Sequence, residues 1–252
     1  MQFGTLCYTE GNKMKKKEIV RRYILFIVSL FFAAFGVAIT KHGELGVSPI
    51  SSVANVLSCK FAFFSLGTWL IIWNCFLILG QVIILRKDFQ LIQLLQVPLS
   101  LLFGVFTDFG MKCVSYIPVN DYAVKILLVI TGIIILGFGI SMSVIANVIM
   151  NSGEAFVKAV SDKTKLNFGN IKVGFDICCV VLSVLISFFL FKGKIVGARV
   201  MFQSQYFHNV IIFKGKIVGA REGTVLTAVF TGFVVKFFVS KLKVTLDKIL
   251  CI

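Results

Sequence analysis

The chain has little of what catalytic and metal-binding proteins carry. Its 252 residues include two histidines, His42 and His208, far apart and without a ligating partner nearby. The seven cysteines, at positions 7, 59, 75, 113, 178, 179 and 251, form no C-x-x-C pair. Neither a metal site nor a disulfide framework is expected from that spacing. G-x-S-x-G, H-E-x-x-H and Walker-type loops are absent, as is any Cys/His arrangement that could activate a nucleophile. The sequence therefore predicts no enzymatic activity, no metal and no cofactor.

Charge is also scarce, at 15% of residues, whereas 58% are apolar and Phe alone contributes 27. A soluble domain is nearer half apolar, and its charges are not confined to gaps between long apolar runs. The composition predicts an integral membrane protein. The pI of 9.7 raises nucleic acid as a partner. Lys and Arg instead flank hydrophobic segments, as cytoplasmic loops and lipid headgroups require, so the bilayer is the expected partner and nucleic acid is not.

A basic stretch opens the chain at Lys13, and Met14 offers an alternative start. The apolar run 23–40 follows it. Its length and the lack of a small-residue cleavage site favour an uncleaved first helix over a signal peptide. Further apolar segments are 49–64, 68–85, 91–111, 124–150, 153–160, 173–190 and 224–239. Six are long enough, or nearly so, to span a bilayer, and two are short and partly polar. The expected fold is an all-α bundle with six long spans and two short helices, re-entrant or interfacial.

The chain reads as if written twice. Phe35-Gly36 returns as Phe138-Gly139, and Ser48 to Ser51 aligns with Asn151 to Glu154, both at an offset of 103. Gly67 matches Gly169, and Trp73-Asn74 matches Phe175-Asp176, at 102. The late match of 105–109 to 229–233 is offset by 124, and the excess of 22 is the spacing of the echo FKGKIVGAR at 191–199 and 213–221. An insertion near 200–212 accounts for the jump. The expected organisation is a basic cytoplasmic segment (1–22), a first repeat (23–115), a second repeat (123–240) and a basic tail (241–252). Such pseudo-repeats mark transporter architectures whose sites lie between the halves.

Each short segment opens with helix-start chemistry. Ser48 precedes Pro49, and Asn151 is followed three residues later by Glu154 in a capping-box arrangement. Ser48, Ser51, Asn151 and Gly153 would place backbone donors at these starts, either in a broken helix at membrane depth or in ordinary surface turns. Glu154, Lys158 and Asp162 recur every fourth residue and share a helix face, with Glu154 and Lys158 in the favourable order for a pair. That stripe lines a cavity or forms a solvated face. Asn74, Asp108 and Asp176 sit inside spans, where an ionisable group costs about 2.5–3.5 kcal/mol and therefore faces a bundle interior or water. Asn74, Asp108, Glu154, Lys158 and Asp176 are the candidate pathway residues.

The segments LGVSPISS (45–52), FSLGTW (64–69), LLQVPLSLLFGVFTDF (94–109), MNSGEAFVKAVS (150–161), FGNIKVGFD (168–176) and VGAREGT (218–224) together resemble the YczE/YyaS/YitT family of bacterial membrane proteins. The resemblance implies a polytopic inner-membrane protein and carries over no substrate or catalytic residue. The departures are the insertion at 200–212 and the residues before Met14; the second FKGKIVGAR copy, which runs into EGT, is the one in register.

With the short segments not crossing, the N-terminus, Arg86-Lys87, the stretch 163–172 and the C-terminal lysines all fall inside, and only 192–221 violates the positive-inside rule. Six spans are expected on that count, against eight if the short segments cross. The expected function is a small-solute or ion transporter in the bacterial plasma membrane, with a cytoplasmic N-terminus and the possibility of a homo-oligomer. The rival is a membrane scaffold or regulator whose polar residues serve helix packing.

Overall fold

Apolar runs of this length leave no choice of secondary structure in lipid, because only a helix satisfies its own backbone within one segment. A computed structural model describes residues 16–190 and 222–251. The elements are α1 (Lys16–His42), α2 (Pro49–Lys60), α3 (Leu66–Leu85), α4 (Gln96–Val114), α5 (Tyr122–Ala146), α6 (Ser152–Thr164), α7 (Phe168–Leu190) and α8 (Glu222–Cys251). Five stretches among the described residues are long and apolar enough to cross a membrane: 17–42, 66–88, 91–114, 122–146 and 168–190. The sixth expected span, 224–239, falls on α8, which is helical throughout but is not among the five.

Boundaries differ from expectation at several points. The run from Leu91 opens with a 3-10 turn, so α4 begins at Gln96 with Pro98 in its first turn. A proline is tolerated there, where its missing N–H has no partner to lose. The expected tail from 241 is the second half of α8, and 16–22 of the expected leading segment is the first part of α1. The insertion at 200–212 and the residues before Met14 lie outside the described residues.

Apolar side chains cover the outside of the bundle as well as filling its core. Phe76, Leu79 and Ile83 on α3, Leu127 and Ile134 on α5, and Val181, Phe188 and Phe189 on α7 are exposed. Ser29, Thr40, Ser52, Gln81, Thr107, Ser141 and Ser183 are buried. Lipid tails are as apolar as leucine, so small residues that allow close backbone approach are what hold membrane helices together. Buried hydroxyls are satisfied locally: Ser29 donates to the Phe26 carbonyl at 2.6 Å, Thr40 to Val37 at 2.9 Å and Ser141 to Gly137 at 2.6 Å.

α1 and α5 run antiparallel along their full lengths. Arg22 reaches Ile145 and Ala146 at one end, and Gly43 lies against Lys125 at the other. At the crossing, a Cβ on Gly36 would stand 2.5 Å from the Leu136 nitrogen, and one on Gly139 would stand 2.4 Å from the Ala33 nitrogen. Only glycine fits either place. α4 runs parallel to α1, with Phe31 on Phe106 and Ala38 on Gly110. α3 runs antiparallel to α4, joined at Gly67–Gly104 and at Gln81–Gln96. The short helices pack crosswise, α2 against α7 and α6 against α3.

Candidate functional site

Both short helices bury their starts and expose their ends. In α2, Pro49 and residues 51–56 are buried whereas Cys59 and Lys60 are exposed; in α6, Ser152 and Gly153 are buried and Asp162 is exposed. The starts touch each other, since a Cβ on Gly153 would lie 3.0 Å from the Ile50 side chain. Ser48 and Asn151 take the N-cap positions with nearly the same backbone, φ −57 and ψ 149 against φ −55 and ψ 147.

Neither side chain caps its helix. The Ser48 hydroxyl donates to the Ser51 hydroxyl at 2.9 Å, and Asn151 makes no side-chain cap bond. The capping box expected with Glu154 does not form. The first backbone N–H groups of α2 and α6 therefore have no side-chain cap, and they carry the positive end of each helix dipole into the bundle.

The candidate residues separate into groups. Asn74 joins the α6 start, its Oδ1 accepting from the Ser152 hydroxyl at 2.8 Å. Two residues missed in the sequence complete this knot: Gln81 donates to Gln96 Oε1 at 3.1 Å and to the Ser152 carbonyl at 3.0 Å, and Gln96 returns a bond to Gln81 at 3.3 Å. A glutamine alone among LILGQVIIL was the available signal, for the same reason that singled out Asn74.

Glu154 lies within electrostatic range of Lys172 and Asp176 on α7, and the same two helices meet at Phe156 and Phe175, whose rings lie 5.4 Å apart. Burial pushes the Glu154 carboxyl above its ordinary range, Lys172 draws it down, and Asp176 pushes it up. The expected Glu154–Lys158 pair does not form; Lys158 is half-buried, and Lys172 instead pairs with Asp176 at 2.5 Å. Lys172 stands four residues before Asp176, an i,i+4 spacing that was readable in the sequence.

Asp108 belongs elsewhere. Its carboxylate accepts the Gly67 backbone N–H at 2.8 Å and the Ser65 hydroxyl at 2.5 Å, at the start of α3. Asn74 lies two turns further along that helix, about 10 Å away at 1.5 Å per residue. An anion at a helix start is stabilised by the dipole, so Asp108 is held as a cap. Ser52, buried on α2, donates to the Pro49 carbonyl at 2.6 Å and approaches the Cys179 carbonyl on α7 at 3.4 Å.

A bundle with apolar faces outward, a largely apolar core that also holds satisfied hydroxyls and amides, and five long apolar helices defines a polytopic α-helical membrane protein. Residues 20–201 match a family of unknown function, DUF6198, and the chain belongs to that family. It is also 24% identical over 223 residues to the uncharacterised membrane protein YczE of Bacillus subtilis (strain 168), across 88% of this chain and 87% of the relative. The YczE-like resemblance read from the motifs is borne out. No solved structure matches.

Proposed function

We propose that this protein is a small-solute or ion transporter built from two inverted halves, α1–α4 and α5–α8, with its site between them. The observation that carries this reading is the meeting of the α2 and α6 starts inside the bundle, one from each half. The helix-start positions Ser48, Ser51, Asn151 and Gly153 lie here, with the Ser51 N–H already donating to the Ser48 carbonyl at 3.0 Å. Asn74, Glu154, Lys158 and Asp176 supply the polar side chains around them, and Asp108 is left to its capping role. Helix starts meeting between inverted halves are a recurrent way to hold a solute in a membrane.

The halves correspond by more than spacing. Gly36 on Leu136 and Gly139 on Ala33 are the same contact made twice, because residues 33 and 36 map onto 136 and 139 at the offset of 103. Glu44 and Asn147, also 103 apart, both adopt left-handed backbone, φ 57 and φ 47. Because α1 is parallel to α4 and antiparallel to α5, the first half crosses an odd number of times. That arrangement favours six spans, with α2 and α6 re-entrant and α8 as the sixth.

The test is flux into proteoliposomes across a panel of small solutes and ions. Asp176→Asn is expected to reduce uptake of the transported member, and unchanged uptake would remove Asp176 from the site. The paired Asn74–Ser152–Gln81–Gln96 knot favours one rival, a scaffold whose polar residues serve packing. A single stable partner on purification, with no flux across the panel, would favour that rival.

A further inference from the structure

The two ends of the α1–α5 pair are fastened by residues that occupy the same place in each half. Arg22 and Lys125 are 103 positions apart. Arg22 Nη1 donates to the carbonyls of Ala146 at 3.3 Å and Ile145 at 3.5 Å, the last turn of α5. Glu18 holds the same guanidinium at 3.0 Å. At the opposite end, Lys125 Nζ on the first turn of α5 pairs with Glu44, just past α1, at 2.6 Å. Each basic residue thus sits near the start of one long helix and grips the finish of the other.

Because α1 and α5 are antiparallel and both are long enough to cross, these fastenings stand at opposite faces of the membrane. We infer that they are a pair of latches, one for each face, and that opening either gives access to the interface between the halves from that face alone. Rocking of inverted repeats opens one side while the other stays closed, which requires separable closures at the two ends of the axial pair.

The latches are chemically unequal. Lys125–Glu44 is an ion pair, whereas Arg22 meets main-chain carbonyls, with neutral Asn147 standing where Glu44 stands in the other half. Salt should loosen the first more than the second.

This inference rests on the two-halved reading above, but its test needs no solute. A single cysteine at Ala155→Cys, half-buried in the first turn of α6 next to Glu154, in the full chain with its native cysteines replaced by serine, is placed in vesicles of known orientation. A membrane-impermeant maleimide is then added to one face at a time. Lys125→Gln is expected to give a severalfold faster labelling from the Lys125 face only, and Arg22→Gln from the Arg22 face only. The exchange of Glu44→Lys with Lys125→Glu should restore the slow rate.

Faster labelling from both faces in either single variant, or no change in either, would overturn the latches. If a glutamine variant does not fold, Arg22→Lys and Glu44→Gln are read in the same way. Sided labelling without flux of any solute would keep the latches and sink the transport reading. Flux without sided labelling would do the reverse.

Discussion

Glu154 shows how one side chain joins the chemistry of the proposed site to the stability of the fold. Its carboxyl is raised chiefly by burial, so the folded protein favours the protonated form. The stability this contributes is fully present below the ordinary glutamate range and is lost as pH rises through the raised value. Glu154→Gln keeps the shape and removes the titration. Thermal melts in detergent should therefore show a smaller loss of stability than in the parent as pH rises above the ordinary glutamate range; an unchanged loss would remove Glu154 as its source. Asp108 makes the contrasting case. Losing a helix-start cap costs about 1–2 kcal/mol, so Asp108→Ala should lower the melting temperature by several degrees without removing the proposed transport.

At the scale of elements, the close crossing of α1 and α5 depends on glycine at both contact points. Gly139→Val would drive a side chain into the Ala33 backbone, and overpacking of this kind costs about 1–3 kcal/mol or more. Gly174 is the control. A Cβ there would meet nothing within 4 Å, so Gly174→Ala should be neutral or gain up to about 1 kcal/mol from helix propensity. Equal melting of the two variants would show that the crossing is not a tight contact. The helices and most of their starts were legible in the sequence because apolar run length and capping residues are local signals. The failed Glu154 capping box was not legible. Whether a carboxylate turns back to its own helix or faces a neighbour depends on what packs there, and here α7 brings Lys172 and Asp176.

At the scale of the whole molecule, the direction of the helices bears on the topology. With α3 antiparallel to α4 and α4 parallel to α1, the turn at Arg86–Asp88 lies at the same membrane face as the start of α1. A phosphatase or fluorescent-protein fusion after residue 88 should report the same side as an N-terminal fusion; the opposite side would sink the six-span arrangement. Topology was only partly legible in the sequence, since charge counting left one loop in violation. Helix direction supports the six-span proposal independently of that loop, because it follows from which residues touch rather than from where charges fall.

The sequence by itself determined that this is a helical membrane protein of the YczE-like kind, where its long helices run and which residues open the short ones. Those properties follow from local hydrophobicity, spacing and motif. The tertiary structure alone decided that the starts of α2 and α6 meet, that Asp108 caps α3 while Glu154 lies within electrostatic range of Lys172 and Asp176, and that Gln81 and Gln96 tie α3 and α4 to α6. It also decided that Arg22 and Lys125 fasten opposite ends of one antiparallel pair. The physical reason is that residues such as Arg22 and Ala146 are distant in the chain, and the packing that joins them depends on the direction and crossing of helices, which no local pattern encodes.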